Sequence, residues 1–403
     1  MLIWAGAFMD ILGFALLNPY LAPIFLDFGV PVAQVGIFVS INMFMGFFSG
    51  ILWGSLSDRY GRRPILIICR IGTMVGYILL ALSNNLTMII ISRVIDGIFS
   101  RNVQIVLTVI GDRTPPERRS QEMSKAGIAW LVAGLIGPAI GAVVFQYGIL
   151  GLGLFNTALA AIALLITLFT FKESNSVVLR QPIPGEISTL KVKPIFSFGV
   201  LKKPLPRLRL SQIFFNSLSM FIFRILLSLF VTVRFGFNVG QIGILLTATG
   251  IVSLIIRMLV FPPVLEKLGD RKTLMFGFLI YFAAFVWLIF LNTIWEYVAV
   301  VILTSFGTMC SIDIMFGIMT QEVPEQDIGE MIGLAGAVDS LSLIIGPIMG
   351  SYLIALSNPT YYGLAATAFA AVPIILGLTW QLKPQKAENS YQKTASITKE
   401  PLP

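Results

Sequence analysis

Apolar residues run on for about 20 positions at a time along most of this chain before a polar cluster interrupts them. At ~1.5 Å of rise per residue, such a run crosses ~30 Å of hydrocarbon as one helix. Barrel strands would instead alternate over ~10-residue segments, and the sequence shows no such pattern. The pattern predicts an all-α integral membrane protein with twelve transmembrane helices. They fall at about 2–25, 34–54, 65–83, 86–110, 127–146, 151–171, 210–232, 240–262, 273–291, 296–318, 331–356 and 361–381.

Composition agrees: of 403 residues, 56% are hydrophobic and 12% charged, about half the charged share of a soluble protein. The polar connections carry the orientation signal. Those after helices 2, 4, 6, 8 and 10, with the C-terminal tail, hold 22 Lys and Arg, and the opposite set holds only Arg234. By the positive-inside rule, both termini are expected in the cytoplasm of a multi-pass protein of the cell membrane. The net charge of +8 is then mostly topogenic, and its dispersal over short loops argues against a nucleic-acid partner. Without a basic n-region, and with Asp10 in the first apolar run, a cleaved signal peptide is not expected. Cys69 and Cys310 fall in spans and imply no disulfide framework.

The chain also repeats itself. Gln34-Val35-Gly36 returns as Gln241-Ile242-Gly243, and Asp58-Arg59-Tyr60-Gly61 as Glu266-Lys267-Leu268-Gly269. Pro116-Glu117 returns as Pro324-Glu325, and Gly137-Pro138-Ala139-Ile140-Gly141 as Gly346-Pro347-Ile348-Met349-Gly350. The offsets stay between 207 and 209, so residues 1–171 and 210–381 read as two six-helix bundles of one origin. Residues 172–209 form a cytoplasmic linker and 382–403 a polar cytoplasmic tail. Parallel repeats of this kind hold a substrate at their interface and expose it alternately by rocking.

One polar interruption stands out: GSLSDRYGRRP at 54–64, a hairpin between helices 2 and 3. Gly54 would let helices approach closely, Gly61 would permit a turn other residues resist, and Asp58 could bond Arg62 in one rocking state. A merely topogenic basic loop would need neither glycine nor the degenerate copy with Glu266 and Arg271. Gly54, Asp58, Arg59, Gly61, Arg62 and Arg63 resemble the signature loop of the major facilitator superfamily. Arg93-x-x-Asp96-Gly97 resembles that superfamily's helix 4 element, with Asp96 in place of the usual Gln. Gly134, Gly137, Pro138 and Gly141 resemble its antiporter-type helix 5 element, and Leu12-Gly13 with Pro19 and Pro23 the proline element of the twelve-helix drug–proton antiporter branch. The resemblance implies the major facilitator fold, a gate worked by Asp58, Arg62 and Arg63, and a part for Arg93 in proton coupling.

Ionisable groups within spans are expensive and need a partner or a wet cavity. Arg70 and Arg257 are expected to snorkel from cytoplasmic ends. Deeper lie Asp10, Arg93, Asp96, Arg101, Arg224, Asp313 and Asp339, candidates for proton coupling or for the substrate cavity; the competing reading is an ion pair that only holds helices together. At ~100° per residue, Arg93, Asp96, Ser100, Arg101, Gln104 and Thr108 share one face of helix 4, with Asn102 opposite. Asn18 and Asn216 are further candidate cavity donors. With no His in the chain, a coupled proton must ride on a carboxylate, and Asp10, with no arginine on its own helix, is the first candidate.

No ATP-binding glycine loop, metal-ligand cluster or nucleophile–base constellation occurs, so neither an enzyme nor a cofactor or metal is expected. The leading reading is a monomeric, lipid-embedded secondary transporter exporting small organic molecules against protons. A carrier of organic anions countered by Arg101 and Arg224, or a non-transporting receptor or scaffold, are the alternatives. Reporters fused after about residue 172 and at the C-terminus should both read cytoplasmic. A signal from the far side at either position would overturn the twelve-helix reading.

Overall fold

A computed structural model of the chain describes residues 2–114, 116–171, 173, 202–356 and 361–381; the tail at 382–403 and most of the 172–209 linker lie outside them. Every regular element among the described residues is helical. The first half holds α1 (Leu2–Asp27), α2 (Val32–Tyr60), α3 (Arg62–Ala81), α4 (Leu86–Phe99), α5 (Asn102–Arg113), α6 (Pro116–Val144) and α7 (Gly148–Thr170). The second holds α8 (Pro204–Arg224), α9 (Leu227–Phe235), α10 (Val239–Leu259), α11 (Phe261–Leu268), α12 (Asp270–Phe290), α13 (Ile294–Thr308), α14 (Ile314–Gln321), α15 (Glu325–Ile354) and α16 (Tyr361–Gln381).

These make twelve crossings, several of them broken. α4 and α5 form one span interrupted at Ser100 and Arg101, and α8 with α9 form one span bent by 43°. α11 continues α10 after Val260, its first turn built on Pro262 and Pro263, residues that cannot donate to the preceding turn. α13 runs through a π turn, Met309–Asp313, into α14. The 44-residue apolar stretch Gly127–Thr170 is two crossings, because the 3₁₀ turn Phe145–Tyr147 and Gly148, at φ +66°, reverse the chain between α6 and α7.

Helix ends follow local chemistry. Asn85 accepts a hydrogen bond from the Met88 N–H (2.9 Å) at the start of α4. Asn238 and Gln241 form a reciprocal capping box at the start of α10, which gives the repeated Gln a second task in this half. At 29 residues α2 is longer than the hydrocarbon is thick, so its last turn, with Asp58 and Arg59, projects beyond it. The connection to α3 is the single residue Gly61, at φ +102°, and Gly269 holds the same place before α12 at φ +71°. The hairpin is therefore tighter than expected, with most of the signature stretch helical.

The repeat is visible in packing. A Cβ on Gly137 would lie 2.9 Å from the Ala15 Cβ of α1, and one on Gly141 2.6 Å from the Leu16 carbonyl. In the second half Gly346 and Gly350 press in the same way on Phe221 and Ile222 of α8. Between halves, α2 lies along α15 and α6 along α10. Ser40 donates to the Ile344 carbonyl (2.9 Å) and Ser351 to the Ala33 carbonyl (3.1 Å), while a Cβ on Gly36 would collide with the Pro347 carbonyl. Gly243 likewise abuts Ala142. The largest buried cluster crosses the interface at this same end, joining Phe25 and Val35 to Leu226, Phe230 and Ile242. All of this lies at the end opposite the Gly61 turn.

At the basic end the ion pairs Arg62–Asp58 (2.5 Å), Lys203–Asp327 (2.6 Å) and Arg209–Glu322 (2.6 Å) each stay within one half, and Asp58 is 68% exposed. The contacts that close the halves on each other thus lie at the end away from these ion pairs. Ser351 is fully buried in the closed seam, so a cysteine placed there should resist a membrane-impermeant maleimide. Adding Gly36→Leu should make it reactive; unchanged labelling would show that the seam does not depend on backbone contact at Gly36.

Candidate functional site

Two clusters gather the charged residues. The first is the turn at Gly61. The Arg62 guanidinium reaches Asp58 and, at 3.3 Å, Asp112 at the end of α5, and donates to the Ser57 hydroxyl (2.7 Å). Glu173, just beyond α7, accepts the backbone N–H groups of Arg62 (3.0 Å) and Arg63 (3.1 Å), capping α3. A Cβ on Gly61 would stand 2.6 Å from that carboxylate, so the position needs glycine for room as well as for its φ. Arg63 donates to the Leu168 carbonyl (2.9 Å), and Arg59 lies over the Tyr60 ring. Gly54 does not serve close helix approach in this conformer: a Cβ there would have open space around it. Glu266 and Arg271 flank Gly269 as exposed residues, and Arg209 and Lys203 form ion pairs at this end of the second half.

The second cluster surrounds a cavity of about 370 Å³ between the halves, with Asp10, Asp96, Arg101, Gln104 and Asp339 in its wall. Phe14, Tyr77 and Trp130 supply rings, and Asn42, Asn102 and Asn156 supply amides. Asp10 does not stand alone. Arg70 of α3 binds it at 2.7 Å and also donates to the Ala163 carbonyl (2.5 Å) and the Thr167 hydroxyl of α7. Arg70 is only 2% exposed, so it does not snorkel as expected. Gly6, one turn before Asp10, makes this possible, since a Cβ there would lie 2.8 Å from the guanidinium.

Asp96 takes a hydrogen bond from Asn42 (2.7 Å) and pairs with Arg93 (3.2 Å), whose guanidinium sits 5.6 Å from the Tyr77 ring centre. Arg93 is buried behind Asp96 rather than in the wall. The single polar face expected for helix 4 is broken at Ser100. Because α5 restarts at Asn102, that residue reaches the cavity and bonds Thr73 (3.2 Å) instead of pointing away. Arg101, at the break, donates to the Gly46 carbonyl of α2.

On the opposite wall, Asp339 of α15 accepts from Ser217 of α8 (2.6 Å). Arg224 is exposed at the α8–α9 bend and is not among the residues of the wall, so it does not join Arg101 there. Asn216 bonds Ser311 instead of facing this cavity. Asp313 ends the π turn, and its side chain lies outside the described residues. In the helix 5 element, Tyr20 of α1 donates to the Pro138 carbonyl, whereas Gly134 faces open space.

Sequence reasoning missed Arg70, Asn42, Asn156, Ser217, Asp112 and Glu173 as partners. Apart from Asn156, which lines the cavity, their contacts span 50 to 122 residues of sequence, and no local spacing announces them. Asp10 and Arg70 were both visible as charges inside spans, and that was the available signal.

Comparison with known proteins agrees with this architecture. The chain is 26% identical over 395 residues to the class B tetracycline resistance protein of Escherichia coli, covering 96% of this chain and 97% of that one. It is 23% identical over 397 residues to multidrug resistance protein 2 of Bacillus subtilis (strain 168), covering 96% and 95%. The crystal structure of the human organic anion transporter MFSD10 (TETRAN) shares the fold with a TM-score of 0.68 and 21% identity, over 93% of this chain and 98% of that one. The family model described as Major Facilitator Superfamily matches residues 3–211 and 209–401. With two six-helix halves around a central cavity, the chain belongs to the Major Facilitator Superfamily and is a membrane transporter of small molecules rather than an enzyme.

Proposed function

We propose that this transporter exports small organic compounds across the cell membrane in exchange for protons, by alternating access, as a monomer in the lipid bilayer. The observation that carries the reading is the inter-half cavity of about 370 Å³ with ionisable carboxylates in both walls. Resistance proteins among its relatives support the direction of transport. With the Lys- and Arg-rich end cytoplasmic, the conformer described above presents its cavity inward, ready to load a compound from the cell.

The residue roles follow from geometry. Asp58, Arg62 and Asp112, with Glu173 on the α3 N-terminus, form the cytoplasmic gate of the first half. A proton on Asp10 or Asp96 weakens its bond to Arg70 or Arg93, and a rocking motion that separates the helices favours that exchange of partners. Asp10 remains the first candidate because it faces the cavity while its arginine lies behind it.

Purified protein in proteoliposomes should concentrate substrate against its own gradient only when a pH gradient is imposed, and equal accumulation without the pH gradient would remove protons from the scheme. Asp58→Asn should cut transport to about a tenth or less, the effect of roughly 1.4 kcal/mol of lost conformational bias, while leaving substrate binding intact. Loss of binding with an unchanged conformational equilibrium would exclude a gating role. Asp10→Asn and Asp96→Asn should be compared in counterflow and in uphill transport; the carrier's variant keeps the first and loses the second. If both variants still concentrate substrate with normal pH dependence, the proton rides elsewhere.

A further inference from the structure

Four charged residues lie in the wall of the central cavity: Asp10, Asp96, Arg101 and Asp339. Two of them are neutralised within the first half, Asp10 by Arg70 at 2.7 Å and Asp96 by Arg93 at 3.2 Å. That leaves one cation and one anion, on opposite halves of the molecule.

Arg101 is held without being neutralised. Its Nε and one terminal nitrogen donate to the Gly46 carbonyl, a neutral acceptor. The guanidinium lies against a flat stretch of α2, since a Cβ on Gly50 would stand 3.0 Å from its Nε. Among the described residues no carboxylate pairs with it. Asp339 mirrors this arrangement, fixed by the Ser217 hydroxyl at 2.6 Å, with no described basic residue beside it. Two amides lie close by. Asn102 and Asn156 line the same wall and are 3% and 0% exposed, and their buried Oδ1 atoms have no hydrogen-bond donor among the described residues. Buried acceptors of this kind are costly unless something donates to them.

We infer that the cavity is built for an amphoteric organic molecule, one that sets an acidic group on Arg101 and a protonated nitrogen on Asp339. The inference rests on the reading of this cavity as the transport site. A ligand with both charges satisfies both walls, whereas a singly charged one leaves a lone charge in a low-dielectric site. The volume of about 370 Å³ is that of a small-molecule site, and the edge-to-face pair Phe14–Trp130 (5.8 Å) offers it ring surface. Because the charges belong to different halves, such a ligand also bridges the two bodies that rock.

The test is equilibrium binding to the purified full-length chain in detergent, with three probes of one skeleton. They are an arylpiperazine carboxylic acid, its methyl ester, which keeps only the cation, and its N-acetyl derivative, which keeps only the anion. The zwitterion should bind about tenfold or more tightly than either derivative. Arg101→Gln should erase the preference for acid over ester, and Asp339→Asn the preference for free amine over N-acetyl. Arg101→Lys keeps the charge and should keep the ranking, which separates a charge effect from damage to α2 packing.

Equal affinities for the three probes, no binding of the zwitterion, or variants that weaken all three alike would overturn the inference. The last of these is the result expected if Arg101 and Asp339 merely pair with each other on closure. The same probes in proteoliposomes keep the two readings apart. A ranked affinity without gradient-driven uptake sinks proton-coupled export alone, and uptake without ranking sinks the charge assignment alone.

Discussion

A guanidinium inside a membrane span needs a counter-charge or a cavity to face, and the first half of this transporter is organised around that requirement. Even on insertion-based scales an unpartnered charge at mid-span costs about 2.5–3.5 kcal/mol. Arg70 meets the condition by tying three helices together at once: Asp10 on α1, its own α3, and the Ala163 carbonyl and Thr167 hydroxyl on α7. Arg93, Asp96 and Asn42 do the same for α4 and α2. The small residue at Gly6 is intelligible only through this network, because any side chain there would occupy the space of the guanidinium.

The second half solves the same packing problem with other means. Its interior is aromatic, with Phe230 within 5.0 Å of Tyr297 and 4.7 Å of Tyr362, ring centre to ring centre. Its ion pairs, Arg209–Glu322 and Lys203–Asp327, sit at the basic end rather than at depth. The repeat kept the helix-packing glycines in both copies and let the electrostatics diverge. One half is fastened internally by charge; in the other the cavity carboxylate, Asp339, is held among the described residues by a hydroxyl.

What the amino-acid sequence disclosed follows the same division. Helical crossings, the repeat and the Gly61 turn were legible because each is encoded over a few neighbouring residues: a run of apolar positions, an offset, a glycine between charges. Arg70 was misread as snorkelling because its partner lies 60 residues away, and nearness to the basic end of its helix is the only local cue. The polar face of helix 4 was drawn by carrying one 100° register through Ser100, where the helix breaks, and so Asn102 was put on the wrong side. Glu173 was absorbed into the linker, although it is the carboxylate that fills the α3 N-terminus. Gly54 was read as a packing glycine because it precedes charges at a helix end, and only its three-dimensional surroundings show the open space beside it.

The seam at Gly36 has a mechanical meaning. There α2 rests on the Pro347 carbonyl of α15 backbone to backbone, with the Ser351 hydroxyl beside it bonded across to the Ala33 carbonyl. Side-chain interfaces yield gradually, as each group finds a new position. A seat formed largely by main chain has less room for such compromises. Any side chain at position 36 would have to lift α2 off α15, so how tightly the far side seals is set by the absence of a single Cβ.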